Sequence, residues 1–338
     1  MTKRPLPQAA FFCNNSRAID NVYGEQRIEA VRSRTRLYAG TVGLSNFTEH
    51  VPHLQELEYI FTTWGFPSLD ESQIASLPRL KAVFYAAGSV QGFARPFLAS
   101  GVKIFSAWAA NAIPVAEFTL AQILLSCKGY FRNTRECHLP DYRQSHRKCH
   151  SGTGIYGNSV ALIGFGMIGR KLADLLRPYH LDVMVVDPFV PDEMLAAHQA
   201  RRVTMEAAFA EAYIVSNHLP NLPATKGILN EPLFSSMRQD ATFINTGRGA
   251  QVVEADLIRV LQDRPDLTAL LDVTFPEPPV ADSPFYTLPN VQLSSHIAGS
   301  IGHEVHRMAD TVIEEFDRLV NGDPTRYEVT EKLLETMA

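Results

Sequence analysis

The chain of 338 residues contains only four cysteines, and no two of them are spaced as a CxxC pair. The sequence therefore gives no sign of a disulfide framework. Free thiols are typical of a reducing compartment, so we expect a cytoplasmic protein. The four are Cys13, Cys127, Cys137 and Cys149.

One stretch combines cysteine with histidine and could in principle bind zinc. Its candidate ligands are Cys137, His138, His146, Cys149 and His150. Their spacing matches no zinc finger or zinc ribbon. We therefore interpret the stretch as a solvated polar loop and expect no metal site.

Excess positive charge and long apolar runs are lacking as well. The formal net charge is −5, and the lysines and arginines form no stripe of the kind that follows a phosphate backbone. The longest apolar stretch, about Phe118 to Leu125, is too short to cross a bilayer. Prolines and polar residues interrupt the N-terminal segment where a signal peptide needs an apolar centre. We expect neither nucleic acid nor a membrane as a partner.

What the chain does contain is an alternation of short apolar runs with segments of helical spacing. Apolar runs with little internal alternation are typical of parallel strands buried on both faces of a sheet. Together with the length and the 46% apolar composition, this pattern predicts two α/β units. The runs are AAFFC, TRLYAG, EYIFTTW, KAVFYAA and VKIFSAW, then SVALIGFG, LDVMVVD, AYIVSN, ATFINT and TALLDV.

Two longer helices are predicted outside this alternation. The first starts at about Ile113, and the second ends near Gly322. The second is amphipathic, with apolar residues at helical spacing. These residues are Val305, Met308, Val312, Ile313 and Phe316.

The stretch SVALIGFGMIGRKLADLL contains a GxGxxG turn between a strand and a helix. Gly164 would permit the tight turn, Gly166 would let the backbone approach a pyrophosphate, and Gly169 would let the helix pack on the strand. The helix start at Met167 and Ile168 would face the anion. A glycine-rich turn without a ligand is the alternative for an isolated motif, but the strand-turn-helix context favours a dinucleotide.

Asp187 ends the next strand-like run, close to the expected position of an acid that hydrogen-bonds the adenosine ribose. Methyltransferases with an adenosyl cofactor share this arrangement and are the main alternative. A carboxylate would repel a ribose 2′-phosphate by up to about 4 kcal/mol at 4 Å and an effective dielectric of 20. We therefore predict NAD rather than NADP as the cofactor.

Three polar residues follow strand-like runs late in the chain. They are Arg248 in INTGRGA, Glu277 in DVTFPEPP and His296 in NVQLSSH. Arginine can hold a carboxylate with two hydrogen bonds, and histidine can exchange a proton near neutral pH. A carboxylate beside the histidine would orient its ring. A surface arginine, a loop glutamate and a strand-capping histidine are the ordinary alternatives, but ligands bind outside the carboxyl ends of such strands, which favours a catalytic site.

The glycines on both sides of Arg248 are the last feature of this motif. Gly247 and Gly249 would leave the backbone free to adopt positive φ and to lie close to a ligand. We therefore expect the loop to pass near the reactive ring of the cofactor.

From about Asn111 onward, the second half resembles the NAD-dependent D-2-hydroxyacid dehydrogenase family, which includes glyoxylate/hydroxypyruvate reductases and phosphoglycerate dehydrogenases. The motifs that carry the resemblance are PVAEFTLA, IYGNSVALIGFGMIGR, NHLPNLPATKGILN, INTGRGAQVVEADL and LLDVTFPEPPVADSPFYTLPNVQLSSHIAGS.

The resemblance implies residue roles. Arg248 would bind the substrate, Glu277 would be the catalytic carboxylate and His296 the acid/base. Asp272 would hold the nicotinamide carboxamide, and Pro220 would line the adenine side. Further cofactor contacts are implied at Thr246, Gly247, His296, Ala298 and Gly299.

The resemblance also implies the domain organisation. Residues 1–115 plus 303–338 would form a substrate domain, and residues 116–302 an NAD-binding Rossmann domain inserted into it. Both would be Rossmann-like or flavodoxin-like domains with parallel sheets. The long helix after Pro114 is similar to the dimer arm of the family, which predicts a homodimer.

The chain departs from the family in the substrate domain. YAAGSVQGFA occupies the place of the carboxylate-binding loop but lacks its usual second glycine and following acid. Gly88, Ser89 and Val90 could still supply backbone N–H donors. Trp64 and Phe66 are expected either to line a bulky apolar substrate pocket or to pack in the core or at a hinge.

We therefore predict an oxidoreductase that transfers a hydride between NAD(H) and a 2-oxo acid or D-2-hydroxy acid, with His296 as acid/base. The alternative is an NAD(H)-sensing protein, similar to the corepressors in this family, with little turnover.

Overall fold

The computed structural model describes residues 5–138, 149 and 151–336. His146 and His150 of the Cys/His stretch lie outside this part of the chain. Within it, no three His, Cys, Asp or Glu side chains are grouped so that they could hold a metal ion. The chain divides into two compact units, Met1–Asn111 with Ser300–Ala338, and Ala112–Gly299.

The strands are β1 (Gln8–Phe12), β2 (Arg36–Val42), β3 (Leu57–Thr62), β4 (Ala82–Tyr85), β5 (Lys103–Ser106), β6 (Asn158–Ile163), β7 (Leu181–Val186), β8 (Ala200–Arg202), β9 (Ile214–Asn217), β10 (Thr242–Asn245), β11 (Thr268–Leu271), β12 (Val291–Leu293) and β13 (Glu328–Val329). The helices are α1 (Ser16–Arg34), α2 (Phe47–His50), α3 (Glu71–Ala75), α4 (Ala94–Ala99), α5 (Trp108–Cys127), α6 (Tyr130–Glu136), α7 (Met167–Leu176), α8 (Asp192–Ala197), α9 (Met205–Glu211), α10 (Glu231–Ser236), α11 (Glu254–Asp263), α12 (Val305–Asn321) and α13 (Glu331–Leu334).

The first unit is built on a six-stranded sheet with the order β2-β1-β3-β4-β5-β13. The first five strands are parallel. Helices α3 and α4 cover one face of the sheet, and α1 and α12 cover the other. Burial on both faces explains the continuous apolar sequences of β1, β3, β4 and β5, whereas the edge strand β2 is largely exposed or half-buried. The predicted parallel-sheet α/β fold is confirmed, with one further strand, β13, that pairs antiparallel with β5 at the edge of the sheet.

The second unit is built on a seven-stranded sheet in which all neighbouring strands are parallel. Its order is β8-β7-β6-β9-β10-β11-β12. Helices α5, α7 and α8 pack on one face, and α9, α10 and α11 on the other. The strand order reverses between β6 and β9, and this is where doubly wound sheets bind dinucleotides, outside the carboxyl ends of the strands.

Helix α5 begins at Trp108 rather than at Ile113, with Pro114 inside it. The apolar stretch of about Phe118 to Leu125, which we expected to be too short to cross a bilayer, is thus part of a longer helix of 20 residues. By length and composition alone α5 could cross a membrane, although half of its apolar segment is buried inside the structure. Ala116, Ile123 and Cys127 pack in the core of the second unit.

Candidate active site

The glycine loop lies at the point of reversal in the strand order. Gly164 has φ of +95°, and a Cβ there would lie 2.8 Å from the carbonyl oxygen of His218, at the end of β9. A Cβ at Gly169 would lie 2.5 Å from the carbonyl oxygen of Gly164. A Cβ at Gly166 would meet no protein atom within 4 Å. Two glycines are thus required by packing, whereas Gly166 leaves open space in which a ligand can approach the backbone.

Helix α7 starts directly after this open position. Gly166 is its N-cap with extended backbone, and Met167 and Ile168 are its first two residues. The amide of Arg170 closes the first turn on the carbonyl of Gly166. The amides before it have no partner inside the helix and point out of its N-terminus, which suits the oxygens of a phosphate.

Asp187 follows β7 beside the glycine loop. Its Oδ2 accepts a hydrogen bond from the Phe165 amide at 2.9 Å, and its Oδ1 accepts one from the Phe189 amide at 3.0 Å. These bonds fix the carboxylate next to the turn. A negative charge held there favours ribose hydroxyls over a 2′-phosphate.

The glycines around Arg248 differ from the expectation. Neither Gly247 nor Gly249 adopts positive φ, so conformational freedom is not their function. A Cβ at Gly249 would overlap the backbone of Thr274, and one at Gly247 would lie 2.9 Å from Nδ2 of Asn217. Both glycines therefore leave room for protein atoms that pack tightly against the loop, those of Asn217 at the end of β9 and of Thr274 after β11.

The Arg248 side chain is partly buried at the end of this loop. Its Nη1 donates to the carbonyl of Gly247 at 2.7 Å. Burial lowers the pKa of Arg248 from its ordinary value, and the carboxylate of Glu277 acts in the opposite direction. Within the described part of the chain Nε and Nη2 donate to no protein acceptor, so they are available to a bound anion.

Glu277 and His296 form a close pair, as the chemistry of a proton donor requires. Oε1 of Glu277 lies 2.7 Å from Nδ1 of His296. Both side chains are partly exposed, 42% for Glu277 and 45% for His296. Because Nδ1 is bonded to the carboxylate, Nε2 is the ring nitrogen that can exchange a proton with a ligand.

The loop that carries His296 is organised by Asp272. The buried carboxylate of Asp272 accepts hydrogen bonds from the Ser294 hydroxyl and from the amides of Ile297 and Ala298, at 2.6, 2.9 and 2.9 Å. Its carbonyl accepts a bond from the amide of His296. His296 has φ of 60°, a conformation that is uncommon outside glycine and that clusters at functional sites.

The structure brings together three further amide side chains that the sequence analysis missed. Asn217 and Asn245 end neighbouring strands at paired positions, and Gln251 lies in the turn after Arg248. All three are buried and hydrogen-bonded to one another or to the loops that carry Pro220 and Gly247. The asparagine at or next to the end of the runs AYIVSN and ATFINT was a signal that could have found two of them.

Thr246 and Gly299 complete the predicted cofactor residues. The hydroxyl of Thr246 lies 3.3 Å from that of Thr119 on α5, and Thr246 is buried. Gly299 follows Ala298 at the end of the Asp272-bound loop. Each therefore lies within the second unit, after β10 and β12 respectively.

The predicted acid-binding loop lies in the first unit, after β4. The Ser106 hydroxyl contacts the carbonyls of Ala87 and Gly88 at 2.9 and 2.6 Å. Within the described residues, the amides of Gly88, Ser89 and Val90 form no hydrogen bond with the protein. The loop is thus held through its carbonyls and keeps its donors free.

The two candidate pocket aromatics of this unit have separate environments. Phe66 is buried and packs on Phe93 and Phe97, with ring centroids 4.7 and 5.6 Å away. Trp64 is 41% exposed. Of the two interpretations given above, core packing holds for Phe66, while Trp64 remains a candidate for contact with a ligand.

The family model for "D-isomer specific 2-hydroxyacid dehydrogenase, NAD binding domain" matches residues 120–298. Among curated proteins, the "Putative 2-hydroxyacid dehydrogenase YoaD" of Bacillus subtilis is 27% identical over 294 residues, which cover 83% of this chain and 80% of that protein. D-3-phosphoglycerate dehydrogenase of Bacillus subtilis is 29% identical over 225 residues, which cover 66% of this chain but only 42% of that protein.

Solved structures show the same fold along nearly the whole chain. D-mandelate dehydrogenase of Rhodotorula graminis superposes with a TM-score of 0.81 at 20% identity, covering 97% of this chain and 98% of that one. A phosphoglycerate oxidoreductase from Rhizobium etli gives 0.78 at 22% identity, covering 97% and 99%. At these identities the similarity establishes the fold, two parallel-sheet α/β domains.

Proposed function

Because the chain belongs to the D-isomer specific 2-hydroxyacid dehydrogenase family and carries its NAD-binding domain at residues 120–298, we propose that it reduces a 2-oxo acid to the D-2-hydroxy acid with NADH. The observation that supports this most strongly is the Glu277–His296 pair, 2.7 Å apart, in the unit that also holds Arg248 and the glycine loop. The reverse reaction would oxidise the hydroxy acid.

The cofactor fits this unit because Gly166 leaves open space at the start of α7, beside the carboxylate of Asp187. Bound NADH would supply the hydride that adds to C2 of the acid. The residues proposed to hold it are Gly164, Gly166, Met167, Ile168, Gly169, Asp187, Pro220, Thr246, Gly247, Asp272, His296, Ala298 and Gly299.

Three side chains would bind the substrate carboxylate, donate the proton and stabilise the charge on the proton donor. Arg248 would bind the carboxylate of the acid with its free Nε and Nη2 donors and polarise the neighbouring carbonyl. As the hydride adds to C2, the carbonyl oxygen gains negative charge and takes a proton from Nε2 of His296. Glu277 would orient the imidazole and stabilise its positive charge through Nδ1.

The two units would then have different roles. We propose that the second unit binds the cofactor and that the first is the substrate domain. In the first unit, the free amides of Gly88, Ser89 and Val90 are the candidates for binding the substrate carboxylate. Exposed Trp64 is the candidate for contact with the substrate side chain.

We also propose a homodimer in the cytoplasm, with α5 and the segment after it as the dimer arm. Size-exclusion chromatography with light scattering tests the assembly. Twice the chain mass is expected, and the mass of a single chain would contradict the proposal.

The activity is tested with a panel of 2-oxo acids, namely glyoxylate, hydroxypyruvate, pyruvate and phenylpyruvate, each with NADH and with NADPH. Loss of absorbance at 340 nm is expected with at least one acid, and with NADH in preference to NADPH. Tight NADH binding without turnover on any 2-oxo acid, together with an NADH-dependent change in association state, would instead support a sensing protein.

A further inference from the structure

The most completely bonded polar side chain near the proposed site is Gln251. It is fully buried, with 0% of its surface exposed. Its Oε1 accepts hydrogen bonds from the amide of Arg248 at 3.2 Å and from Nδ2 of Asn217 at 2.6 Å. Its Nε2 donates to the carbonyls of Leu219 at 2.7 Å and Pro220 at 2.9 Å. One amide thus links the Arg248 loop with the loop after β9.

The partners determine the orientation of this amide. Its nitrogen faces two carbonyl oxygens, which can only accept, and its oxygen faces two N–H groups, which can only donate. A flipped amide would place oxygen against both carbonyls. The four bonds therefore form only with the arrangement seen here, and every polar atom of the side chain is satisfied.

Asn217 and Asn245 extend the link to the strands. Nδ2 of Asn217 also donates to Oδ1 of Asn245 at 3.0 Å, and Nδ2 of Asn245 donates to the carbonyl of Arg248 at 3.3 Å. The backbone of Arg248 is therefore held on its N–H side by Gln251 and on its C=O side by Asn245. Neither bond involves the guanidinium, which stays available to a ligand.

We propose that Gln251 is a positioning residue that couples cofactor binding to acid binding, by joining the Pro220 loop to the backbone of Arg248. This inference rests on the proposed function, in which Pro220 contacts the cofactor and Arg248 binds the acid. A ligand that orders one loop would also order the other, so the second ligand binds with less loss of conformational freedom.

The test measures this coupling with NADH and oxamate, an unreactive analogue of a 2-oxo acid. The dissociation constant of NADH is determined by fluorescence with and without saturating oxamate, and the ratio of the two values is the coupling factor. In the wild type, oxamate should tighten NADH binding by about fivefold or more, the lower range of typical couplings. Gln251→Met, which has similar volume but none of the four hydrogen bonds, should bring the factor close to one.

Two further variants separate coupling from stability. Gln251→Glu retains acceptors for Arg248 and Asn217 but places a carboxylate oxygen against the carbonyls of Leu219 and Pro220, so it should also lose the coupling. If Gln251→Met does not fold, the coupling factor of Gln251→Glu tests the role of Gln251 instead. The matched control is Asn290→Leu, because Asn290 is a buried amide that donates to two carbonyls, those of Leu261 and Arg264, before β12. This variant should lower the melting temperature without changing the coupling factor.

The possible failures can be told apart. Wild-type coupling retained in a folded Gln251→Met or Gln251→Glu variant overturns the role of Gln251 and leaves the proposed reaction standing. A wild-type protein that turns over a 2-oxo acid but shows no coupling also overturns it. A wild-type protein that binds NADH but neither binds oxamate nor reduces any acid overturns the proposed function, and this inference with it.

Discussion

The imidazole of His296 and the carboxylate of Glu277 are in hydrogen-bonding contact at 2.7 Å, although the two residues follow different strands, β12 and β11. Two loops must therefore be positioned together for the pair to form. The loop with His296 is held by hydrogen bonds to the carboxylate of Asp272. In the loop with Glu277, the amide of Phe275 donates to Oε1 of Glu254 at 2.7 Å. The geometry of the pair is built into the backbone of the second unit.

Replacement of Glu277 by glutamine should reduce kcat by about tenfold to a hundredfold, because the amide can still orient the ring but no longer stabilises the imidazolium. NADH affinity should change little. Steady-state kinetics with the best acid of the panel measure the effect. Glu206→Gln, at an exposed position on α9, is the control. Unchanged kcat in Glu277→Gln would remove the carboxylate from the mechanism.

Arg248→Lys should lower kcat/KM for the acid by about a hundredfold, because an ammonium cannot reproduce two parallel hydrogen bonds to a carboxylate. The loss should appear mainly in KM for the acid, and the dissociation constant of NADH should stay the same. Arg201→Lys is the control, because Arg201 forms an exposed ion pair with Asp182. A loss of less than threefold in Arg248→Lys would contradict the assigned role.

Gly166→Ala should leave the free energy of unfolding unchanged, because a Cβ at this position meets no protein atom within 4 Å. It should nevertheless weaken NADH binding by about tenfold or more, since the methyl group would occupy the approach of the pyrophosphate. Gly169→Ala should instead destabilise the protein by roughly 1–3 kcal/mol through overpacking. Denaturant unfolding and NADH titration distinguish the two effects. Wild-type NADH affinity in Gly166→Ala would exclude this loop as the pyrophosphate site.

His218 should make stability depend on pH. Burial lowers the pKa of His218 to about 4, while an unfolded histidine titrates near 6.5. Between these values the unfolded chain binds the proton and the native protein does not, so the free energy of unfolding falls as the pH falls. The full effect is about 3 kcal/mol, and the lost stability is regained as the pH rises from about 4 to 6.5 and is complete above that.

Urea unfolding of the wild type and of His218→Gln measures this contribution. The stability of the wild type relative to the variant should decrease by about 2–3 kcal/mol from pH 7 to pH 4.5. Exposed His53→Gln should leave the pH dependence as it is in the wild type. A constant difference between the wild type and His218→Gln would show that the histidine is not neutral and buried.

Much of the fold could be predicted because strands buried on both faces need continuous apolar sequence. Each apolar run of that kind forms a strand, and the amphipathic tail forms α12, whose apolar face packs in the first unit. Strands β8 and β13 could not be predicted, because ARR and EV are too short and too polar to give a periodic signal. For the same reason, the sequence did not indicate that the first sheet has an antiparallel strand at one edge.

Site residues could be predicted where the function requires a particular residue type. They were harder to predict where tertiary packing determines which residue fits. Gly164, Gly166 and Gly169 have the geometry that their spacing indicated. The expectation of positive φ at the glycines around Arg248 was wrong, and the close approach of Thr274 and Asn217 to them is a tertiary contact that no local pattern reports. Gln251 was missed for the same reason, since three of its four partners, Asn217, Leu219 and Pro220, lie more than 30 residues away in the sequence.

The central claim, that His296 is the acid/base of an NADH-dependent reduction, is tested most directly by His296→Ala. Turnover at 340 nm and NADH binding by fluorescence should be measured on the same preparation. We predict that kcat falls by at least about a hundredfold while the dissociation constant of NADH stays within about twofold of the wild type. Retention of most of the wild-type kcat would contradict the account.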